Sequence, residues 1–129
     1  MLLMSVVGKE KPMERVLILD DDEIRHRGFK KKFPTVEITS VYTAEDAIKE
    51  VKKGNWDWIF LDHDLGGMQM VESGEETGWE VADFISRNPE LAPKKKIVLH
   101  SLNPAGRKNM KNVLRRLDVE TIEAPFAWM

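Results

Sequence analysis

Short apolar runs that end abruptly in ionisable residues constrain this chain more than any other feature. Val16-Leu17-Ile18-Leu19 runs into Asp20-Asp21-Asp22, Trp56 to Leu61 runs into Asp62-His63-Asp64, and Lys96 to Leu99 runs into His100-Ser101. Continuous apolar stretches of this length are expected of strands covered on both faces. Two further segments, Val36–Tyr42 and Val119–Glu123, complete a set of five predicted strands. Between them lie helical patterns. Glu23 to Phe33 carries Ile24, Phe29 and Phe33 at helical spacing and is closed by Pro34. Thr43, with Asp46 three residues on, starts a helix through Lys53 that Gly54 stops. Thr77 caps a helix from Gly78 towards Asn88, ahead of Pro89, and Asn103-Pro104 opens one through about Leu117. This alternation predicts an α/β fold with an open parallel sheet and right-handed crossovers. Leu65 to Glu76, rich in glycine and without an apolar period, is expected to be a mobile loop and a candidate lid.

Bulk properties narrow the function classes. The chain has 129 residues, enough for a single domain, taken as 14–129 behind an N-terminal extension of 1–13. Lys and Arg number 20 against 22 Asp and Glu, so no global field draws it to nucleic acid or an anionic membrane. Zero cysteines exclude disulfides, thiolate metal sites and a cysteine nucleophile, and suit the cytosol. The apolar Met1–Val7 is too short to span a bilayer, and its flanks do not form a signal peptide.

In open α/β sheets ligands bind outside the carboxyl ends of the strands. If the strand order is 2-1-3-4-5, Asp20 and Asp21, Asp62 to Asp64, and His100-Ser101 converge there into one pocket. Carboxylates so close repel unless protons or a hard cation intervene, and an oxygen donor set suits Mg²⁺ or Mn²⁺. Asp20 to Asp22 taken alone also fits a helix start, where acids favour the N-terminal dipole. His63 and His100, taken as equally deep on neighbouring strands, form a candidate acid–base pair for opening a phosphoester. Each alone equally fits a buried structural role. Ser101 lacks a Gly-x-Ser-x-Gly elbow and is expected to donate a hydrogen bond to phosphate. Asn103 and the amides after it offer an anion-binding nest. His26 is expected to be solvated, and the four tryptophans to pack in the core or at its rim.

Val16 to Glu23 (VLILDDDE), Leu61-Asp62, the strand ending in Ser101, and Ala124-Pro125-Phe126 together resemble a response-regulator receiver domain. The resemblance implies a flavodoxin-like three-layer sandwich. It also implies a metal-binding acidic pair at Asp20 and Asp21, a phosphoacceptor at Asp62, a metal-completing carbonyl at Asp64 and a conserved-type hydroxyl at Ser101. Two departures stand out: Ala124 replaces the lysine that contacts the phosphoryl group in receivers, and the sequence stops four residues after Pro125, without the usual fifth helix. The N-terminal segment or a homodimer partner is expected to cover the face so exposed.

Asp20-Asp21 with Arg25, Leu61-Asp62-His63-Asp64-Leu65-Gly66-Gly67, Thr77-Gly78, and His100-Ser101-Leu102-Asn103-Pro104-Ala105-Gly106 are more similar to a divergent branch, the cyclic-phosphate-processing receiver domains. That resemblance implies a small phosphorylated ligand, an RNA end or a nucleotide derivative, with Arg25 at the phosphate. Three functions are weighed: a metal-assisted phosphoesterase, a signalling module phosphorylated on Asp62, and a module that binds a phospho-nucleotide without chemistry.

Overall fold

The computed structural model describes residues 13–125. The elements follow in the order β1 (Arg15–Leu19), α1 (Glu23–Lys32), β2 (Glu37–Val41), α2 (Ala44–Lys53), β3 (Trp58–Leu61), α3 (Gly78–Arg87), a 3₁₀ turn (Pro89–Leu91), β4 (Lys96–Leu99), α4 (Pro104–Leu114) and β5 (Glu120–Glu123). All strands are parallel, in the order β2-β1-β3-β4-β5. The caps sit where the sequence placed them: the Thr43 side chain accepts from Asp46 N–H, Thr77 from Trp79 N–H, and Asn103 from Gly106 N–H. The strands agree to within two residues, whereas the last helix ends at Leu114, three residues short of the expected end. No helix among the described residues is long and apolar enough to cross a membrane.

Strand periodicity sorts the core into two layers. Leu17, Leu19, Ile59, Leu61, Ile97 and Leu99 face α2, α3 and α4, where Val51, Val81, Ile85, Met110 and Leu114 are buried against them. Each such side chain contributes roughly 1.5–3 kcal/mol through area removed from water. Val16, Ile18, Phe60 and Val98 face the other way and, among the described residues, form a buried cluster with Phe29 of α1, with Phe33, Trp58 and Ile122 partly buried around them. A groove of about 330 Å³ runs along this thinner layer past Val16, Phe33, Trp58, Val98 and Ile122. It lies on the face for which cover was expected. The segment proposed as cover falls almost wholly in residues 1–12, outside the described residues, as do Phe126 and Trp128. Trp56, by contrast, is buried in the thicker layer, with its Nε1–H donated to the Glu50 carbonyl at 2.9 Å.

Candidate functional site

The register decides which side chains share the pocket. Ile18 stands beside Phe60, Phe60 beside Val98, and Val98 beside Ile122. The ladder then continues one step past the strands, with Asp62 N–H on Leu19 O, His100 N–H on Leu61 O and Ala124 N–H on Leu99 O. Two residues along from the apolar row, the same face therefore carries Asp20, Asp62, His100 and Ala124 at the carboxyl edge. Three are polar and buried: Asp20, Asp62 and His100.

These side chains form one network. Arg25, from the first turns of α1, donates to both oxygens of Asp20, Nε at 2.7 Å and Nη2 at 2.8 Å. His100 Nε2 lies 2.9 Å from Asp20 Oδ2, and the Asp22 N–H gives a fourth bond at 2.8 Å. Burial pulls the Asp20 carboxyl upward, but the bonds from His100 and Arg25 outweigh it and hold Asp20 well below the usual carboxylate range. Burial lowers His100 despite the opposing side-chain hydrogen bond and charge of Asp20. The His100 Nδ1 is buried without a hydrogen-bond partner among the described residues, beside the Phe29 and Phe60 rings.

Asp62 is the exception among the acids. Burial, and next the Asp20 charge, push it up to about 7, against the pull of Arg25 and of the His63 N–H that Asp62 Oδ1 accepts at 2.9 Å. Asp20, Asp62 and His100 each offer one ligand atom, all within 4.8 Å of one another. Asp21 stands at the rim, its Oδ2 accepting the Gly67 N–H at 2.7 Å. This donor set, mostly carboxylate oxygen and closely grouped, fits a divalent cation.

A cavity of about 450 Å³ opens above this floor. Asp21, Arg25, Asp62, Asp64, His100 and Ser101 line it, with Met68, Gln69 and Met70 of the following loop as one wall. Ser101 Oγ accepts the Asn103 N–H at 3.1 Å, which leaves its hydroxyl proton for a ligand.

Three expectations need correction. His63 is fully buried and is absent from the cavity lining. It lies one residue out of phase with His100, since Leu61 pairs Leu99 and Asp62 is the true neighbour of His100. Its ring turns to the opposite face, with Nδ1 2.8 Å from Asp64 Oδ1 and Nε2 2.8 Å from Ser73 Oγ. Gly106 closes over it: a Cβ there would stand 2.4 Å from His63 Cγ. At Asn103 the expected nest is partly filled from within the fold: its own N–H goes to Ser101 Oγ at 3.1 Å, the Gly106 N–H goes to Asn103 Oδ1 at 2.9 Å, and its side-chain amide donates to Asp64 Oδ1 at 3.0 Å and to Val71 O at 3.2 Å. His26 is buried rather than solvated, its Nε2 2.8 Å from the Asp20 carbonyl and its ring against Tyr42, so it fixes the end of β1.

The loop from Leu65 to Glu76 is tied at several points. Asp64 Oδ2 accepts the Met70 N–H at 2.6 Å, Asn109 donates to Ser73 at 2.9 Å, and the Gly67 and His63 bonds add to these. Burial raises the Asp64 carboxyl, but the bonds from His63, Asn103 and Met70 together hold it below its ordinary value. Its side chain is thus engaged with the loop. Arg107 escaped the sequence reading; it donates to the Ser101 carbonyl at 2.6 Å and pairs with Glu123 at 3.1 Å, steadying the serine. Nothing in the sequence distinguishes it from the other basic residues of that helix.

The parallel sheet in this order, with an acidic pocket at its carboxyl edge, defines a receiver-type fold. Solved structures agree. The response regulator TrrA of Thermotoga maritima, in complex with Mg²⁺ and BeF, is 27% identical with a TM-score of 0.63, covering 90% of both chains. A CheY-like receiver domain of Methanospirillum hungatei is 20% identical with a TM-score of 0.62, covering 88% of this chain and 83% of that one. CheY4 of Vibrio cholerae is 17% identical with a TM-score of 0.59, covering 88% and 87%. No curated protein matches the sequence. Residues 15–116 match the cyclic-phosphate processing receiver domain, and the chain belongs to that family.

Proposed function

We propose that the cavity at the carboxyl edge opens a cyclic phosphate ester by hydrolysis. The observation that carries this reading is the row of Asp20, Asp62 and His100 beneath an open cavity of about 450 Å³. Asp62 lines this cavity, where a carboxylate can serve as the proton acceptor. Asp62 takes the proton of a water that attacks phosphorus. A new P–O bond forms, the ring P–O bond breaks, and the departing oxygen takes the proton from Asp62, leaving a phosphomonoester. Arg25 and the Ser101 hydroxyl hold the phosphate oxygens, and His100 keeps Asp20 ionised and oriented beside them.

Asp20 and Asp21, with Asp62 bordering them, would hold a divalent cation, Mg²⁺ or Mn²⁺. Such an ion supplies positive charge against the developing negative charge on phosphate. The match to the cyclic-phosphate processing family supports the substrate class. The departure from two-histidine chemistry follows from His63, which faces Ser73 and Asp64 rather than the cavity.

A second reading has one observation in its favour: Asp62 directly follows β3 at the carboxyl edge of a receiver-type sheet, the position the receiver resemblance assigns to the phosphoacceptor. Ala124, in the row where receivers carry lysine, weighs against it. The two separate in one assay of purified protein with Mn²⁺ and a panel of cyclic nucleotides, followed by ³¹P NMR. Ring-opened monoester formed by wild type, lost in Asp62→Asn and reduced in His100→Gln, is the expected result. Unchanged turnover in Asp62→Asn overturns the assignment.

A further inference from the structure

The acidic cluster already contains a cation. Arg25 Nη2 lies 2.8 Å from Asp20 Oδ1, 3.5 Å from Asp21 Oδ1 and 3.6 Å from Asp62 Oδ2. Its Nη1 lies 3.3 Å from Asp22 Oδ2. One guanidinium nitrogen therefore stands against Asp20 and Asp21, which would hold a divalent ion, and beside Asp62, so that guanidinium and ion compete for the same carboxylates. Only the Asp20 contacts have hydrogen-bond length; those to Asp21 and Asp62 are longer. A single positive charge serves four carboxylates, which leaves the cluster under-neutralised. A doubly charged ion answers that deficit better than the guanidinium does.

The cavity also needs the arginine elsewhere. Arg25 is the one Lys or Arg side chain in its lining, against Asp21, Asp22, Glu23, Asp62 and Asp64. Among the described residues, an anionic phosphate entering this cavity finds no free Lys or Arg while Arg25 is held by Asp20. The side chain is about a quarter exposed and sits on the cavity wall, so it can turn towards solvent without disturbing the core.

We propose that Arg25 is an exchangeable counter-ion: it holds the acidic cluster closed, is displaced by a divalent cation, and then presents its guanidinium to the phosphate. This rests on the reading that the cavity takes a phosphate ester, but the metal half of it is testable without substrate.

Two measurements test it. In calorimetry with Mn²⁺ alone, Arg25→Gln should bind the ion about tenfold more tightly than wild type, because the competing charge is gone. With Mn²⁺ saturating, the same variant should bind inorganic phosphate about tenfold more weakly, so the effects have opposite sign. In wild type, the Arg25 Nε–H resonance should shift or broaden as Mg²⁺ is added. That signal depends on no substitution and separates displacement from a general charge effect. Mn²⁺ affinity in Arg25→Gln equal to or below that of wild type overturns the proposal, as does an Arg25 resonance unmoved at saturating Mg²⁺, or no divalent binding by either protein. A protein that exchanges Arg25 for the ion yet opens no cyclic phosphate would refute the enzymatic reading and leave the exchange standing.

Discussion

Replacing Asp62 by asparagine should stabilise the protein at alkaline pH and much less at acid pH. The carboxyl is pushed from 3.8 to about 7, first by burial and then by the negative Asp20. A group whose value is raised on folding binds its proton more tightly in the native state. Its contribution to stability is complete below 3.8 and is lost as the pH rises through about 7. At about 1.4 kcal/mol per pH unit the full loss is ~4 kcal/mol, of which ~3 kcal/mol falls between pH 5 and pH 8. Relaxation around the ionised group, with Arg25 nearby, reduces the expected difference to ~1–2 kcal/mol. Asparagine keeps the shape and one acceptor for the His63 N–H while carrying no charge. In thermal melts with EDTA, its Tm should exceed that of wild type by roughly 5 °C more at pH 8 than at pH 5. A gain independent of pH, or a variant no more stable than wild type at pH 8, refutes the claim that Asp62 is ionised at a cost in this site.

Two further outcomes follow from the packing. Gly106→Ala lies within α4, where alanine alone would add about 1 kcal/mol of helix propensity, yet its Cβ would meet the buried His63 ring at 2.4 Å. Chemical denaturation should therefore show a loss of roughly 1–3 kcal/mol, and a gain would contradict the placement of His63. His63→Gln should loosen the loop from Leu65 to Glu76, because the Ser73 and Asp64 bonds go with the ring. Hydrogen exchange of the Met70 and Gly74 amides should rise while the β3 amides stay protected; unchanged exchange would show that the ring does not hold the loop.

How far the sequence reaches depends on the kind of signal. Five apolar runs and their caps are local, so Thr43, Thr77 and Asn103 could be placed at helix starts from residue type and spacing alone. The convergence of Asp20, Asp62 and His100 followed from the fold class, because all three end strands that lie side by side. The facing of side chains is a different matter. His63 and His100 look equivalent in the sequence, but the one-residue offset set by the Leu61–Leu99 pairing sends them to opposite faces. His26 misled for a similar reason: basic neighbours suggest a solvated helix surface, while its own position turns inward to the Asp20 carbonyl. Arg25 was legible as a site residue but not as the cation seated among four carboxylates, which only three-dimensional distances reveal.

The central claim is that the cavity hydrolyses a cyclic phosphate, and its most direct test is turnover of a cyclic nucleotide in H₂¹⁸O with Mn²⁺, read by mass spectrometry of product and protein. Hydrolysis in the cavity predicts a monoester carrying one heavy oxygen on phosphorus, absent with Asp62→Asn, and a protein of unchanged mass. Intact cyclic phosphate throughout the panel, or a phosphoryl group accumulating on Asp62 in place of free product, would contradict it.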